Sequence, residues 1–112
     1  MSGEGPAGPA CPAPRAPDLS GVEVVRLRPR PAPRDQAEAQ ALAEAEARRR
    51  LGGEAMLLSW YDRDRDLEAP AGVSECHEAG AVPGWLDYGL HRGARLLVDV
   101  DDGRFQFLFR GG

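Results

Sequence analysis

Two alternating runs meet at the C-terminus, in RLLVDVDDGRFQFLFR, Arg95 to Arg110. Between them sits Asp102-Gly103, a dipeptide that favours the tight two-residue turn of a β-hairpin. That turn sets the register: Asp101 opposes Arg104, Val100 opposes Phe105, Val98 opposes Phe107, and Leu96 opposes Phe109. With this pairing Leu96, Val98, Val100 and the three phenylalanines fall on one face, so the turn chemistry and the hydrophobic period support the same register. The other face pairs Asp99 with Gln106, Leu97 with Leu108, and Arg95 with Arg110.

AMLLSWY, Ala55 to Tyr61, also reads as a strand. Simple alternation puts Met56, Leu58 and Trp60 on one side and Leu57, Ser59 and Tyr61 on the other. Upstream, DQAEAQALAEAEARRRL carries a helix signature. Asp35 can cap it, with Glu38 three residues on as a capping box requires. Glu44–Arg48 and Glu46–Arg50 are favourable i,i+4 pairs, and Gly52 ends the run. Its large apolar residues are Leu42 and Leu51, so the helix should pack closely and bury little. A second helix starts at Pro83 and runs to about Arg92, with Gly93 just past its end. Leu86 and Leu90 face its core, and Gly89 suits a close helix–sheet approach.

These elements predict an α+β fold in the order α-β-α-β-β. It has a three-stranded core sheet, a C-terminal β-hairpin and a helix packed on one face. The second helix is expected over the Val/Leu/Phe face, with the first sharing that face or lying at an edge. Leu57, Tyr61, Leu97 and Leu108 are then left as a second apolar face, which predicts a homo-oligomer. Arg95 and Arg110, flanking that face, would meet carboxylates of a neighbouring copy or an anion.

Composition divides the chain. Eight of the ten prolines fall in residues 6 to 33, among Gly, Ala and Arg. Residues 1–34 therefore read as a disordered Pro/Ala/Arg-rich tail and residues 35–110 as a single small α+β domain. VEVVRLR, Val22 to Arg28, interrupts the tail as at most a short edge strand, stopped by Pro29. RPRPAPR, Arg28 to Arg34, is polyproline-like and could be read by an aromatic groove. The net charge of −4 argues against a general nucleic-acid binder. No window approaches the roughly 18 apolar residues of a membrane span. Two cysteines, Cys11 and Cys76, make no disulfide framework, which sets a cytoplasmic, reducing location as the default.

Candidate chemistry concentrates in VSECHEAG, Val73 to Gly80. Cys76 and His77, with Glu75 or Glu78 and the distant His91, could form a mixed zinc shell or an activated thiol. No C-x-x-C or H-x-x-x-H spacing accompanies them, and a loop cysteine packed as a small hydrophobe is the competing reading. In DRDRD, Asp62, Asp64 and Asp66 alternate as at the start of a calcium loop. Leu67 and Val73 then occupy the places of the required Gly and Glu, so the run reads as self-paired charge. Trp85 and Tyr88 could stack a planar ligand or serve as boundary residues. A ligand or partner face of Tyr61, Trp85, Tyr88, Arg95 and Arg110 follows.

SWYDRDRD, SECHEAG, PGWLDYGLHRGA and LLVDVDDGRFQFLFR together resemble a small prokaryotic family of unknown function, known mainly from structural genomics of an archaeal member. The resemblance spans about Ala55 to Arg110. It implies an α+β fold and no activity, cofactor or catalytic residue. The functional expectation is a self-associating ligand- or protein-binding module. A metal- or thiol-dependent enzyme using Cys76, His77 and His91 is the alternative.

Overall fold

The computed structural model describes residues 19–71 and 83–111. Five strands and two helices follow in the order β1 (Glu23–Leu27), α1 (Gln36–Arg50), β2 (Ala55–Asp62), β3 (Leu67–Ala69), α2 (Gly84–His91), β4 (Leu96–Val100) and β5 (Phe105–Gly111). They form one sheet in the order β1-β4-β5-β2-β3, sandwiched between the two helices. The class is α+β, as the sequence predicts.

The hairpin register is the expected one. Leu96 faces Phe109, Val98 faces Phe107 and Val100 faces Phe105, and all six side chains are at most 1% exposed. Asp102 and Gly103 at the tip adopt φ of 59° and 84°, the paired positive values of the expected tight turn. The helix signals also hold. Asp35 caps α1 by accepting from the Glu38 backbone N–H at 3.0 Å. At the other end Gly52 takes φ 84° and the Gly53 N–H reaches the Arg48 carbonyl at 2.7 Å, closing a Schellman motif. Glu46 pairs with Arg50, and with Arg49 as well, while Glu44 accepts from Gln40 instead.

The second helix occupies the face opposite to the expected one, whereas the first lies on the Val/Phe face, one of the two places expected for it. α1 covers the Val/Phe face, where Ala39, Ala43 and Ala47 lie fully buried over Leu96, Val98, Val100 and the three phenylalanines. Three rings and three branched aliphatics already fill that layer, so the helix that fits is one whose small side chains bring its backbone close. α2 carries the large residues, Trp85, Leu86 and Leu90, and packs on the smaller Leu97 and Leu108. A Cβ added at Gly89 would lie 2.5 Å from Leu108 Cδ1 and 2.9 Å from Ser59 Oγ. The close approach expected at this glycine is therefore present. Ser59 Oγ donates to the Trp85 carbonyl across the same contact at 2.7 Å.

The second apolar face is thus covered within the chain. Leu97 and Leu108, on which self-association was to rest, lie under α2 at 7% and 0% exposure. The alternation in β2 also breaks. Leu57 opposes Phe109 and Ser59 opposes Leu108, with Leu58 bulged between them. Leu57 and Trp60 consequently join the α1 core, while Leu58 and Tyr61 join the α2 core.

The sheet has five strands rather than three. Val22 to Arg28, assigned to the tail as at most a short edge strand, supplies the edge strand β1, which runs parallel to β4 with Val25 beside Val98. The pairing of non-adjacent parallel strands leaves no mark in local sequence. β3 comes from the end of the charged run and pairs with β2 through Tyr61–Glu68. RPRPAPR forms the connection from β1 to α1 and is tied to the domain: Pro33 is buried, and its carbonyl accepts from Arg104 Nη1 at 2.8 Å. Residues 1–18 lie outside the described residues, as does the stretch 72–82.

Candidate functional site

α2 has eight residues and covers only part of its face. Where it stops, one row of side chains crosses every strand: Arg26 on β1, Asp99 on β4, Gln106 on β5, Tyr61 on β2 and Glu68 on β3, each the register partner of the next. The row lies on the α2 side because each strand alternates. Val24, Leu97 and Leu108, two residues along from Arg26, Asp99 and Gln106, belong to the α2 core, as does Tyr61 itself. All five positions carry a hydrogen-bonding group, and none is fully buried.

Trp85, in the first turn of α2, roofs one end of this shelf. Its ring is stacked on Tyr61 with centroids 5.9 Å apart and planes 4° from parallel. The Tyr61 hydroxyl donates to Asp66 Oδ1 at 2.5 Å. That bond, reinforced by burial, favours the neutral phenol and pushes its pKa up to about 12. Tyr61 therefore stands in the row with its hydroxyl committed to Asp66 and its ring stacked on Trp85. Asp99 Oδ1 accepts from the Gly103 N–H at 2.6 Å and is fixed against the hairpin turn. The side chains of Arg26 and Gln106 take no hydrogen-bond or ion-pair partner among the described residues. A guanidinium and an amide thus stand ready beside a stacked aromatic pair.

The residues singled out from sequence separate into groups. Tyr61 and Trp85 meet at the shelf. Tyr88 is half-buried on α2, with the Arg92 guanidinium 3.6 Å above its ring centre, so its π face is taken. Arg95 and Arg110 are exposed at the opposite end of the sheet, Arg110 beside Met56. Four residues of strand, about 13 Å, separate Arg110 from Gln106. His91 is exposed in the last turn of α2, its Nδ1 2.9 Å from the Asp87 carbonyl oxygen. Cys76 and His77, with Glu75 and Glu78, fall outside the described residues. Among the described residues no group of three or more His, Cys, Asp or Glu side chains is arranged to hold a metal ion. None of their helices is long and apolar enough to cross a membrane.

The alternating aspartates each have a separate partner. Asp62, 1% exposed, accepts from the Arg65 N–H and from Arg65 Nε, the latter at 2.8 Å. Asp64 pairs with Arg104 at 2.5 Å, and Asp66 takes the Tyr61 hydroxyl. Arg104 also reaches Asp101 at 3.1 Å, so one guanidinium ties the β2–β3 turn, the β4–β5 turn and the approach to α1 together. This network is structural.

Arg26, Asp99 and Gln106 did not stand out from the sequence as site residues. The pairing of Asp99 with Gln106 was legible from the hairpin register. The alignment of Arg26 with them required β1, and its polar character alone reads as an exposed strand position.

The fold has a close structural relative. A protein of Archeoglobus fulgidus DSM 4304, described as novel and non-family-model and solved as a crystal structure, superposes with a TM-score of 0.65. The two share 27% sequence identity over 81% of this chain and 95% of the other. The comparison with curated proteins returns no match. The resemblance to a family of unknown function is borne out, and the match reaches further toward the N-terminus, into β1 and α1. A family model matches residues 22–109, and the chain belongs to that family, DUF5619, a domain of unknown function.

Proposed function

We propose that this domain is a small-ligand-binding module whose site is the polar shelf on the α2 face, and that its ligand is a planar anion. The supporting observation is the cross-strand row itself, with the unpartnered Arg26 and Gln106 aligned with the Tyr61–Trp85 stack. From β1 to β2 the row crosses three strand spacings, about 14 Å. Arg26 would take a carboxylate or phosphate, Gln106 a hydrogen-bonding edge, and the aromatic end a ring. Asp99, next to Arg26, favours a singly charged carboxylate over a phosphate dianion at that point.

Thermal shift on the purified protein tests the reading, using planar aromatic carboxylates, mononucleotides and planar cations as three arms. At a concentration 100-fold above Kd, a bound ligand stabilises by about 2.7 kcal/mol, a rise in Tm on the order of 10 °C for a domain this small. The expected result is a rise with one or both anion arms that is lost in Arg26→Ala and Gln106→Leu. Both variants should melt as the wild type does when unliganded. A rise confined to cations, or one untouched by the two substitutions, overturns the proposal.

A further inference from the structure

Arg26 and Asp99 are register partners on β1 and β4, on the same face of the sheet, with their strands about 4.8 Å apart. Opposite charges so placed attract one another, and elsewhere this protein pairs its charges: Asp64 and Asp101 hold Arg104, and Asp62 holds Arg65. Among the described residues no ion pair or hydrogen bond joins Arg26 to Asp99. Arg26 is exposed and Asp99 half-buried.

The hairpin turn accounts for the separation. Asp99 gives Oδ1 to the Gly103 N–H at 2.6 Å, a bond that fixes the carboxylate against the turn. Its second oxygen, Oδ2, takes no partner among the described residues. None of their buried side-chain oxygens lacks a hydrogen bond, so Oδ2 is open to the shelf. Side by side, the shelf therefore holds a cationic donor without a partner and an anionic acceptor without a partner. Next along the row comes the Gln106 amide, and then the Tyr61–Trp85 stack.

We infer that the shelf selects a planar aromatic carboxylate with an N–H donor on the ring atom beside its carboxylate, the carboxylate on Arg26 and the N–H on Asp99 Oδ2. This substrate class deepens the anion-binding reading and rests on it. A carboxylate and an N–H on neighbouring atoms lie closer together than one strand spacing, within reach of both side chains. The ring then continues along the row toward Gln106. Asp99 is thereby a specificity-determining residue: an acid without the donor leaves a carboxylate facing a ligand that cannot satisfy it, and that mismatch discriminates more sharply than a difference in shape.

Isothermal titration calorimetry on the full chain compares indole-2-carboxylate with benzofuran-2-carboxylate, which keeps the shape and charge but has an ether oxygen in place of the N–H. The wild type is expected to bind the indole acid about tenfold or more tightly. Asp99→Asn can still accept from the Gly103 N–H through its carbonyl oxygen, and then turns an amide N–H toward the ligand. In that variant the preference should disappear or reverse. Arg26→Ala should weaken both acids by a similar factor and preserve their ratio. Equal binding of the two acids by the wild type overturns the inference, and leaves the anion reading standing where Arg26→Ala weakens both. A preference for the indole acid that survives Asp99→Asn also overturns it, since the N–H then has another acceptor. Binding of neither acid overturns it together with the carboxylate half of the anion reading. The wild-type ratio alone keeps the test decisive if Asp99→Asn loosens the hairpin.

Discussion

The two faces of one sheet are built on different principles. On the α1 face, large residues on the strands meet alanines on the helix, and the layer is apolar from β1 to β2. On the α2 face, the large residues sit on the helix and the strands carry leucine, serine and valine; Leu97, Leu108 and Ser59 are buried beneath α2. Beyond α2 the α2 face ends in the polar row Arg26–Asp99–Gln106–Tyr61–Glu68. Each interface is filled by the sum of the two layers, so a helix poor in bulk belongs where the sheet is rich in it. A face closed along its whole length serves stability. The other face carries, beside an eight-residue helix, the polar row on which the proposed site rests.

Removing β1 is the most severe way to break this contrast, because that strand contributes Val25 to one face and Val24 to the other. A chain beginning at Asp35 is expected to lose its cooperative thermal transition, whereas one beginning at Leu19 should melt within a few degrees of the full chain. Circular dichroism melts of the three lengths decide it, and equal melting of all three would mean that β1 is dispensable.

Within the α1 face, Phe107→Ala should cost about 3–5 kcal/mol, since the ring is fully buried beneath close-packed alanines that cannot move inward to refill the space. Urea denaturation measures it. A loss under about 1 kcal/mol would show that the face repacks freely.

The α2 face gives a smaller effect with an informative sign. Helix propensity alone would make Gly89→Ala a gain of about 1 kcal/mol. The new methyl would meet Leu108 and Ser59 at the distances given above, so a net loss of about 1–3 kcal/mol is expected from overpacking. Stabilisation would mean that α2 can lift from the sheet. A paired substitution, Gly89→Ala with Leu108→Ala, should recover part of the loss, as neighbouring sites in contact couple.

The smallest effect concerns pH. Hydrogen bonds from Arg50 and then Arg49 hold the Glu46 carboxyl below the usual glutamate range, against the opposing effect of burial. A carboxylate depressed in the folded state contributes stability that is present above its unfolded value, about 4.3. That contribution is lost as pH falls through the lower folded value. Stability of the wild type should therefore decline on acidification below about pH 4.3, and Glu46→Gln should flatten that slope. Denaturant midpoints across pH 2 to 6 provide the comparison, and an unchanged slope would mean that other carboxylates carry the acid sensitivity.

Local chemistry was readable where a few residues decide the outcome. Asp102-Gly103 admits a tight turn and sets every pair of the β4–β5 hairpin. Asp35 with Glu38, and Gly52 with Gly53, bound α1 at both ends. Gly89 marked a close approach before its partners were known. The candidate site was legible only in fragments: Tyr61 and Trp85 were singled out, but nothing near them in sequence marks Arg26, and Arg95 and Arg110 belong to the other end of the sheet.

What the sequence determined by itself is the set of elements whose signals lie within a few residues: the two helices, the C-terminal hairpin with its register, and an α+β class. What only the tertiary structure decided is how they are matched. The bulge at Leu58 swaps the sides of β2, and no local pattern records an extra residue. β1 joins β4 across an interval of some seventy residues, through backbone hydrogen bonds that any sequence can supply. Which helix covers which face follows from filling volume between layers, a property of both partners at once. The row that forms the candidate site exists only because five strands, distant in the chain, come into one register.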